Sequence, residues 1–410
     1  MLYLYNILTY LSFPILYLIA LFNAKIKLFV VGRQQSFTIL QQGISKSDQV
    51  FWVHVASLGE YEQGLPLMEA LKQQFPTHKI VLTFFSPSGY EVKKNNTIAD
   101  VTIYLPLDTI SNAKRFLKIA HPEKAFFVKY EYWPNYLNQL YKQNIPTFLV
   151  SGIFRPNQIF FKWYGGFYRK ALQAFTYFFV QNEVSQNLLN QLGYTTVEIV
   201  GDTRFDRVAQ ILENNNSLDF LDQFTNNKQY QTIVIGSSWP QDEELLANYI
   251  NNQLPKNVKV IFAPHNIKKE QIENLKNSLQ LPTICYTTME GKNLAAYDVL
   301  IIDAYSLLTK AYSYAQVAYI GGGFGAGIHN ILEAATYGVP ILIGPNYKKF
   351  QEAKDLITLG SCLVIHSQEE LNKTLNRLLN DQSYQKELGD ISSQFVLKNK
   401  DATKRIMAKL

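Results

Sequence analysis

From residue 50 onward, short apolar runs rich in β-branched and aromatic residues alternate with longer segments of helical character. This alternation is typical of βα units, which assemble into parallel sheets with helices on both faces. Six such runs lie in the first half of the chain: FWVHVA (51–56), KIVLTFF (79–85), DVTIYL (100–105), KAFFVK (124–129), PTFLV (146–150) and TYFFVQ (176–181). They predict one doubly wound domain.

The same alternation restarts after a polar segment around residues 214–217. Its six runs are QTIVIG (231–236), VKVIFA (258–263), DVLIID (298–303), VAYIGG (317–322), PILIG (340–344) and CLVIH (362–366). A chain of 410 residues also exceeds the usual size of one domain. We therefore expect an α/β protein of two doubly wound, Rossmann-like domains. Their ligand site should lie in the cleft between them, at the carboxyl ends of the strands.

The composition narrows the class of protein. A hydrophobic content of 47% with 18% charged residues is that of a folded chain. The two cysteines, Cys285 and Cys362, are far apart, and the histidines lack metal-ligand spacing, so neither a disulfide framework nor a metal site is predicted. The net charge of +6 comes without a Lys/Arg-rich run. It indicates anionic substrates or lipid headgroups rather than nucleic acid.

The first 24 residues contain no charged side chain, and about 20 apolar residues suffice to cross a bilayer. The run is interrupted by Asn6, Thr9, Ser12 and Pro14. A helix lying in the membrane interface is therefore the alternative to a spanning one. A cleaved signal peptide is disfavoured, because neither a basic region nor a small-residue cleavage site is present. Three cations follow, Lys25, Lys27 and Arg33, and the positive-inside rule then keeps the rest of the chain in the cytoplasm.

The stretch GGGFGAGIHNILEAATYGVPILIGP (321–345) places a glycine cluster between a predicted strand and a helix expected to begin near Asn330. This arrangement favours anion binding, because free amides and the helix dipole attract phosphate and missing Cβ atoms let it approach. The spacing differs from the G-x-G-x-x-G of dinucleotide sites. Asn330 and Glu333 also have the spacing of a reciprocal helix cap, and spacing alone does not choose between capping and ligand binding.

A second candidate is VASLGE (55–60), where a predicted strand meets a helix start. A Glu60 carboxylate at a helix N-terminus stays ionised at neutral pH and can accept a proton. Ser57 and Glu60 also match the capping pattern, and the spacing by itself favours the cap.

Other polar segments follow predicted strands and are weaker candidates. SPSG (86–89), GSSWPQDE (236–243) and FAPHN (262–266) offer hydroxyls, amides or an imidazole, and KYEYWPN (129–135) carries Glu131. Each is also compatible with a turn or an ordinary loop. The segment 154–175 mixes aromatic rings with cations such as Arg155, which suits either a membrane interface or a domain-boundary helix.

Taken in order, these motifs resemble the Kdo (3-deoxy-D-manno-octulosonic acid) transferases of lipopolysaccharide synthesis. The matching segments are VASLGE (55–60), SPSG (86–89), YEYWPN (130–135), GDTRFD (201–206), GSSWPQDEE (236–244), FAPHN (262–266) and the stretch 321–345. The resemblance implies a GT-B fold with a membrane anchor at 1–31, an acceptor-binding domain at 32–208 and a CMP-sugar-binding domain at 209–410, whose last helix can pack back on the first domain. It further implies CMP-Kdo as the donor substrate and the lipid A precursor as the acceptor. No cofactor or metal is implied, and the expected location is the cytoplasmic face of the inner membrane, in contact with its lipids.

The resemblance also assigns roles to individual residues. Glu60 matches the general base of an inverting transfer, Glu131 matches a second acidic residue of the site, and Ser57 and Arg155 would support the acceptor side. The donor side would comprise Ser237, Ser238, Pro264, His265, Gly322, Gly323, Asn330 and Glu333, with Glu333 on the ribose hydroxyls. Three positions depart from the family pattern: His265 replaces an arginine, Lys129 an acidic residue and Asp202 an asparagine.

Two other functions remain open from the residues themselves. One is a different GT-B enzyme that uses a UDP-sugar, either a glycosyltransferase or an epimerase, because a glycine-rich turn cannot read the base. The other is a membrane-tethered protein that binds a nucleotide or lipid without catalysis.

Overall fold

The structure is a computed structural model that describes residues 2–410. The chain divides into two compact units. Unit 1 comprises the chain up to Arg207 together with Asn399–Leu410, and unit 2 comprises Val208–Lys398. The last residues of the chain therefore return to the unit that contains the first ones.

Within the described residues of unit 1, seven parallel strands form one sheet in the order β3-β2-β1-β4-β5-β6-β7. The strands are β1 Val50–Val55, β2 Lys79–Phe84, β3 Val101–Tyr104, β4 Lys124–Val128, β5 Thr147–Gly152, β6 Tyr177–Val180 and β7 Val197–Ile199. The six apolar runs of the sequence correspond to the first six strands. The edge strand β7 was not predicted, because its three residues, Val-Glu-Ile, carry no extended apolar pattern.

The helices of unit 1 lie on both faces of this sheet. They are α1 Leu2–Ala20, α2 Ala24–Gly43, α3 Leu58–Gln74, α4 Pro87–Lys93, α5 Ile110–Ala120, α6 Pro134–Lys142, α7 Gly166–Leu172, α8 Glu183–Gln191 and α9 Arg204–Ala209. Because both faces are covered, the strands are almost wholly buried.

Unit 2 repeats the architecture, and throughout its described length seven parallel strands follow the order β10-β11-β9-β8-β12-β13-β14. The strands are β8 Gln231–Ser238, β9 Val258–Pro264, β10 Thr283–Cys285, β11 Val299–Ile301, β12 Val317–Ile320, β13 Ile341–Ile343 and β14 Cys362–Val364. The helices are α10 Asp219–Phe224, α11 Pro240–Gln253, α12 Lys269–Ser278, α13 Leu308–Ala311, α14 Leu332–Thr336, α15 Gln351–Leu359, α16 Gln368–Asn380 and α17 Gln382–Asn399. The edge strand β10 is again the one that the sequence did not predict.

Helix α2 packs onto the first sheet along its length. A Cβ atom at Gly32 would lie 2.3 Å from the Tyr104 ring, and one at Gly43 would lie 2.3 Å from a Val101 methyl group, so both glycines are needed for this close approach. Leu40 belongs to the buried core of the sheet. Helix α2 is therefore continuous across residue 31, the predicted end of the anchor.

Helix α1 precedes it and is mostly exposed. By length and composition Tyr3–Ala20 could cross a membrane, and it is the one such helix among residues 2–410. The structure thus contains the apolar N-terminal helix that the sequence predicted.

The segment after unit 2 completes the core of unit 1. Helix α18, Ala402–Met407, buries Ala402 and Ile406 in the hydrophobic cluster around β1 and β4. Asp206 of the GDTRFD motif accepts hydrogen bonds from the amides of Asp401 and Thr403 at 2.5 and 2.7 Å. That motif therefore fastens the returning segment to unit 1.

Candidate active site

Each sheet has a switch point where the chain crosses from one half of the sheet to the other. In unit 1 it lies between β1 and β4, and in unit 2 between β8 and β12. Doubly wound sheets bind ligands at the carboxyl ends of the strands beside such a point. The segments after β1 and β4 carry Glu60 and Glu131. The end of β8 carries Ser237, and the segment after β12 carries the glycine cluster. The predicted site residues therefore gather at the expected position in each unit.

Glu60 is the third residue of α3 and is 5% exposed. The Ser57 hydroxyl donates a hydrogen bond to Glu60 Oε2, so it is directed at the carboxylate rather than at a backbone amide of the first turn. Lys129 Nζ lies 3.7 Å from Glu60 Oε1. The two carboxylate oxygens are thus held by two different side chains, and the reciprocal cap suggested by the spacing is replaced by a side-chain network.

Lys129 reaches this position through a left-handed backbone conformation, with φ of 71° directly after β4. Such a conformation is uncommon for a residue with a side chain and often marks a functional segment. The residue was noted in the sequence only as a departure from the family pattern. Its contact with Glu60 depends on the pairing of β1 with β4, which the sequence does not reveal.

Glu131 is also buried and belongs to a second network. Trp133 Nε1 donates to Glu131 Oε2 at 3.1 Å and to His54 Nε2 at 2.9 Å. Because an indole nitrogen can only donate, His54 Nε2 accepts and the imidazole proton lies on Nδ1, 2.9 Å from the Thr83 hydroxyl. His54, which is fully buried in β1, was missed because a histidine within an apolar run resembles a core residue.

Tyr130 connects the two acidic residues. Burial raises the pKa of its phenol, and the negative charges of Glu60 and Glu131 raise it further, whereas Arg155 lowers it. The predicted base Glu60 and two residues predicted for the acceptor side, Glu131 and Arg155, therefore lie within electrostatic range of one tyrosine. Tyr130 is 41% exposed and Arg155 is exposed, so this edge of unit 1 is open to a ligand.

The SPSG segment forms the start of α4 beside this site. Ser86 and Ser88 exchange a hydrogen bond of 2.8 Å between their hydroxyls. A Cβ atom at Gly89 would lie 2.8 Å from the amide of Leu58, the first residue of α3. The glycine of this motif is therefore explained by the close packing of α4 against the start of α3.

In unit 2 the last two residues of β8 are partly buried, and one of them has a strained backbone conformation. Ser237 has φ of 54°, and the buried Ser238 hydroxyl donates to Glu243 Oε1 at 2.8 Å. Pro264 ends β9 opposite Ser238, and the amide of His265 donates to the Ser238 carbonyl at 3.0 Å. The predicted donor-side residues of β8 and β9 are thus brought together.

The glycine cluster after β12 is packed against backbone on three sides. A Cβ atom at Gly321 would lie 2.4 Å from the Ser237 carbonyl oxygen, and one at Gly323 would lie 2.5 Å from the Gly344 amide nitrogen. Gly322 has φ of 92° and a neighbouring carbonyl, that of Gly327, at 2.4 Å from its Cβ position. The need for glycine here follows from the fold itself, which packs the ends of β8, β12 and β13 together.

The Asp242 side chain stabilises the glycine turn through hydrogen bonds. It is fully buried in the first turn of α11, and it accepts hydrogen bonds from the Gly322 amide at 2.8 Å, the Trp239 amide at 3.0 Å and the Tyr319 hydroxyl at 2.8 Å. Burial raises the pKa of Asp242, although these three hydrogen bonds oppose the rise. The residue stands in a segment that the sequence singled out, but its partner lies 80 residues away.

The helix after the glycine cluster differs from the expectation. Helix α14 begins at Leu332 rather than near Asn330 and has only five residues. A helix of this length has a small dipole, which weakens the helix-dipole argument for anion binding at this point. The loop of residues 321–331, rather than the helix, therefore shapes this part of unit 2.

Asn330 and Glu333 still form a defined polar group. Glu333 accepts hydrogen bonds from Asn330 Nδ2 at 2.8 Å and from the Thr309 hydroxyl at 2.6 Å. Asn330 Oδ1 accepts a hydrogen bond from the Leu332 amide at 3.1 Å, whereas the Glu333 carboxylate is held by side chains only. The carboxylate is partly exposed and oriented, as a ligand-binding group would be.

Beside it, three rings form a stack. The Trp239 and His265 rings lie 4.7 Å apart and the His265 and His329 rings 4.4 Å apart, while Trp239 Nε1 donates to His329 Nε2 at 3.0 Å. His265 is thus part of an aromatic surface.

The stack makes a prediction about protonation. Burial, together with a smaller electrostatic contribution from the neighbouring His265 ring, lowers the pKa of His329 to about 4. The unfolded value is about 6.5, so the neutral ring contributes stability that is present above pH 6.5 and is lost as the pH falls towards 4. Histidine NMR should show one imidazole titrating near pH 4, assigned by its absence in His329→Gln. His265→Gln should move that midpoint upward, whereas a midpoint near 6.5 in the parent would contradict the stack.

A cavity of about 580 Å³ adjoins the glycine cluster. It is lined by Gly325, Ala326, Pro345, Asn346, Tyr347, Lys348, Lys349 and His366. Its two exposed lysines offer positive charge to an anionic ligand. The sequence analysis did not single out these lysines, because two adjacent surface lysines are common outside binding sites.

Proteins of similar sequence point to the same family as the motifs. The profile of a family described as 3-deoxy-D-manno-octulosonic-acid transferase (kdotransferase) matches residues 32–207. The chain is 28% identical to the 3-deoxy-D-manno-octulosonic acid transferase of Rickettsia bellii (strain RML369-C), over 97% of this chain and 96% of the relative. Residues 32–207 thus match the Kdo transferase family, and nearly the whole chain is similar to a curated Kdo transferase. These similarities support the glycosyltransferase class that the motifs predicted.

Solved structures agree on the fold of this chain. UDP-GlcNAc 2-epimerase from Neisseria meningitidis bound to UDP-GlcNAc aligns with a TM-score of 0.62 at 14% identity, covering 88% of this chain and 98% of the neighbour. MurG from Acinetobacter baumannii aligns with a TM-score of 0.52 at 14% identity, with the same coverage. At this identity the likeness concerns the fold alone, and it confirms the predicted GT-B class.

Proposed function

We propose that this protein transfers Kdo from CMP-Kdo to a hydroxyl of the lipid A precursor, with inversion at the anomeric carbon and without a metal ion. The observation that carries the proposal is the Glu60 carboxylate. It is buried at the start of α3, beside the switch point of unit 1, and its oxygens are held by the Ser57 hydroxyl and the Lys129 ammonium group.

In the proposed step, the acceptor hydroxyl oxygen forms a bond to the anomeric carbon of Kdo while the bond from that carbon to the CMP phosphate breaks. The hydroxyl proton passes to Glu60, and the bonding electrons leave with the phosphate. General base catalysis of this kind contributes about 10²–10⁴-fold. Glu131 and Tyr130 would contact the acceptor on the same edge of unit 1.

Unit 2 would bind the donor. The ribose hydroxyls suit the oriented carboxylate of Glu333, and the stack of Trp239 and His265 offers a flat surface to a base or sugar. Lys348 and Lys349 would neutralise the phosphate as negative charge develops on it. In this proposal positive side chains and backbone amides supply the charge that a divalent cation provides in other transferases.

The direct test is to incubate the purified full chain with CMP-Kdo and lipid A precursor and to determine the masses of the lipid products. We expect a mass increase of one or more Kdo residues, which also counts the sugars added, in the presence of a chelator as in its absence. A product formed only from a UDP-sugar would show that the protein is instead a GT-B enzyme specific for UDP-sugars. Nucleotide binding with no product from either donor would establish a non-catalytic binder.

Replacing Glu333 by alanine should weaken CMP binding roughly 10- to 100-fold, because a hydrogen bond to a charged group contributes about 1.5–3 kcal/mol. Turnover at saturating CMP-Kdo should change much less. Calorimetry with CMP measures the first effect, and Glu369→Ala, at an exposed position of α16, is the matched control. Unchanged affinity in Glu333→Ala would leave that carboxylate only its contacts with Asn330 and Thr309.

A further inference from the structure

Polar contacts near both ends of α1 hold this apolar helix against unit 1. The Tyr5 hydroxyl donates to Asp108 Oδ2 at 2.7 Å, and the buried Asn135 Nδ2 donates to Asn6 Oδ1 at 2.8 Å. Near the other end, Gln34 Nε2 of α2 donates to the Tyr17 hydroxyl at 3.0 Å. Buried polar groups are costly to leave without partners, so these contacts resist separation of α1 from unit 1.

Helix α2 is fixed to the same edge of the sheet by Arg33. Its guanidinium donates to the carbonyls of Phe85 and Leu105 at 2.6 and 2.9 Å, which follow β2 and β3 directly. Asp108 and Asn135, the partners of α1, lie in the segments after β3 and β4. Helices α1 and α2 therefore lie at the carboxyl edge of the first sheet, the edge that also carries Glu60.

The outward face of α1 is apolar. Its side chains that are more than half exposed are Tyr3, Leu4, Ile7, Leu8, Tyr10, Leu11, Ile15 and Leu18, and Leu21 and Phe22 directly after the helix are more exposed still. A contiguous apolar surface of this kind marks a membrane or protein contact in a folded protein.

A second exposed aromatic group lies next to α1. Trp163 is 91% exposed and Tyr164 is 53% exposed, in the loop that precedes α7. The ring of Phe167 in α7 contacts the ring of Tyr5 in α1, with centroids 5.8 Å apart. Tryptophan and tyrosine are enriched where proteins meet lipid headgroups.

Exposed cations flank this surface and favour a bilayer over a protein partner. Lys25 and Lys27 follow α1, and Lys170 is exposed on α7 beside the aromatic loop. Each basic side chain near an anionic membrane surface contributes about 1 kcal/mol. An apolar helix combined with interfacial aromatic rings and lysines is the composition of a surface that inserts partway into an anionic bilayer.

We propose that the outward face of α1 and the Trp163–Tyr164 loop together bind the surface of an anionic bilayer, and that α1 lies along the interface instead of crossing it. The nineteen residues of α1 are about 28 Å long, comparable to the thickness of the hydrocarbon core. Crossing would carry one end of α1 to the far side of the bilayer. Since Tyr5 and Tyr17 both contact groups of unit 1, that movement would break the contacts at one end.

This inference rests on the proposed membrane location and adds the topology. It places the carboxyl edge of the first sheet, with Glu60, towards the lipid headgroups. A lipid whose sugar headgroup projects from the bilayer could then reach Glu60 without leaving the membrane.

The topology is tested by cysteine labelling of the full chain in bacterial membranes, which does not depend on transfer activity. Tyr3→Cys and Lys25→Cys place thiols at the two ends of α1, and the native Cys285 and Cys362 are buried. A membrane-impermeant maleimide should modify Lys25→Cys in inverted inner-membrane vesicles and neither thiol in spheroplasts. The Tyr3→Cys thiol, on the lipid-facing side of α1, should react in inverted vesicles only after detergent is added. Modification of Tyr3→Cys in spheroplasts, with protection in inverted vesicles, would show that α1 crosses the membrane and would overturn the proposal.

The contribution of the aromatic loop is tested with vesicles of phosphatidylethanolamine and phosphatidylglycerol. Trp163→Ser should reduce vesicle binding about tenfold, because burial of a large apolar side chain contributes about 1.5–3 kcal/mol. The matched control is Tyr305→Ser, at an aromatic residue of unit 2 that is 72% exposed. Equal binding of Trp163→Ser and the parent protein would exclude the loop from the membrane surface.

Discussion

Replacing Glu60 with glutamine is expected to lower the rate of Kdo transfer by about 10²–10⁴-fold while the protein stays folded. Glutamine has nearly the same shape, and its side-chain oxygen can still accept the Ser57 hydroxyl, so the start of α3 should be preserved. It cannot take up a proton as the acceptor oxygen attacks. The rate should be measured at saturating CMP-Kdo by mass analysis of the lipid products, so that a change in donor binding does not contribute.

The chain offers a matched control two residues away. Glu62 lies on the same helix but pairs with Lys93 and Arg207 at 3.2 and 3.5 Å. Glu62→Gln removes the same charge from α3 without touching the proposed site, and its transfer rate should stay within about twofold of the parent, because surface ion pairs contribute little. A Glu60→Gln protein that transfers Kdo at the parent rate would rule out Glu60 as the base.

Replacing Asp242 with alanine should destabilise unit 2 by about 3–5 kcal/mol. The change removes the common acceptor of three buried or partly buried donors, the amides of Gly322 and Trp239 and the hydroxyl of Tyr319. Because the Gly322 amide belongs to the glycine cluster, CMP binding should weaken together with stability. Urea unfolding followed by tryptophan fluorescence measures the loss, since Trp239 lies in the affected turn.

Asp390→Ala provides the control for Asp242→Ala. Asp390 lies in α17 of unit 2, where it pairs with Lys386 at 2.6 Å on an exposed face. Its replacement should change stability by less than about 0.5 kcal/mol. Equal unfolding midpoints for the Asp242 variant and the parent would contradict the structural role assigned to Asp242.

The alternation of apolar runs was enough to predict both sheets, because a parallel strand buried on both faces must be apolar throughout. The two strands that were not predicted, β7 and β10, are three residues long. They lie at sheet edges, where a strand pairs with only one neighbour. The helix predicted near Asn330 begins two residues later, at Leu332. Its start is set by the packing of the glycine loop against β8 and β13, which involves residues remote in sequence.

The site was predictable only where its groups share one segment. Ser57 and Glu60 stand three residues apart, so their proximity could be expected, although the sequence favoured a cap over the side-chain network found here. Lys129 and Asp242 act on partners 69 and 80 residues away, through strand pairing that periodicity does not specify. These contacts could be identified only from the structure.

The return of residues 399–410 to unit 1 bears on how the chain is made. Unit 2 is one continuous segment, so it can fold while the chain is still being synthesised. The hydrophobic core of unit 1, in contrast, is complete only after Ala402 and Ile406 have been synthesised. A premature stop codon near residue 398 would therefore damage the half of the enzyme encoded first. The resulting product would retain a complete unit 2 and an incomplete unit 1.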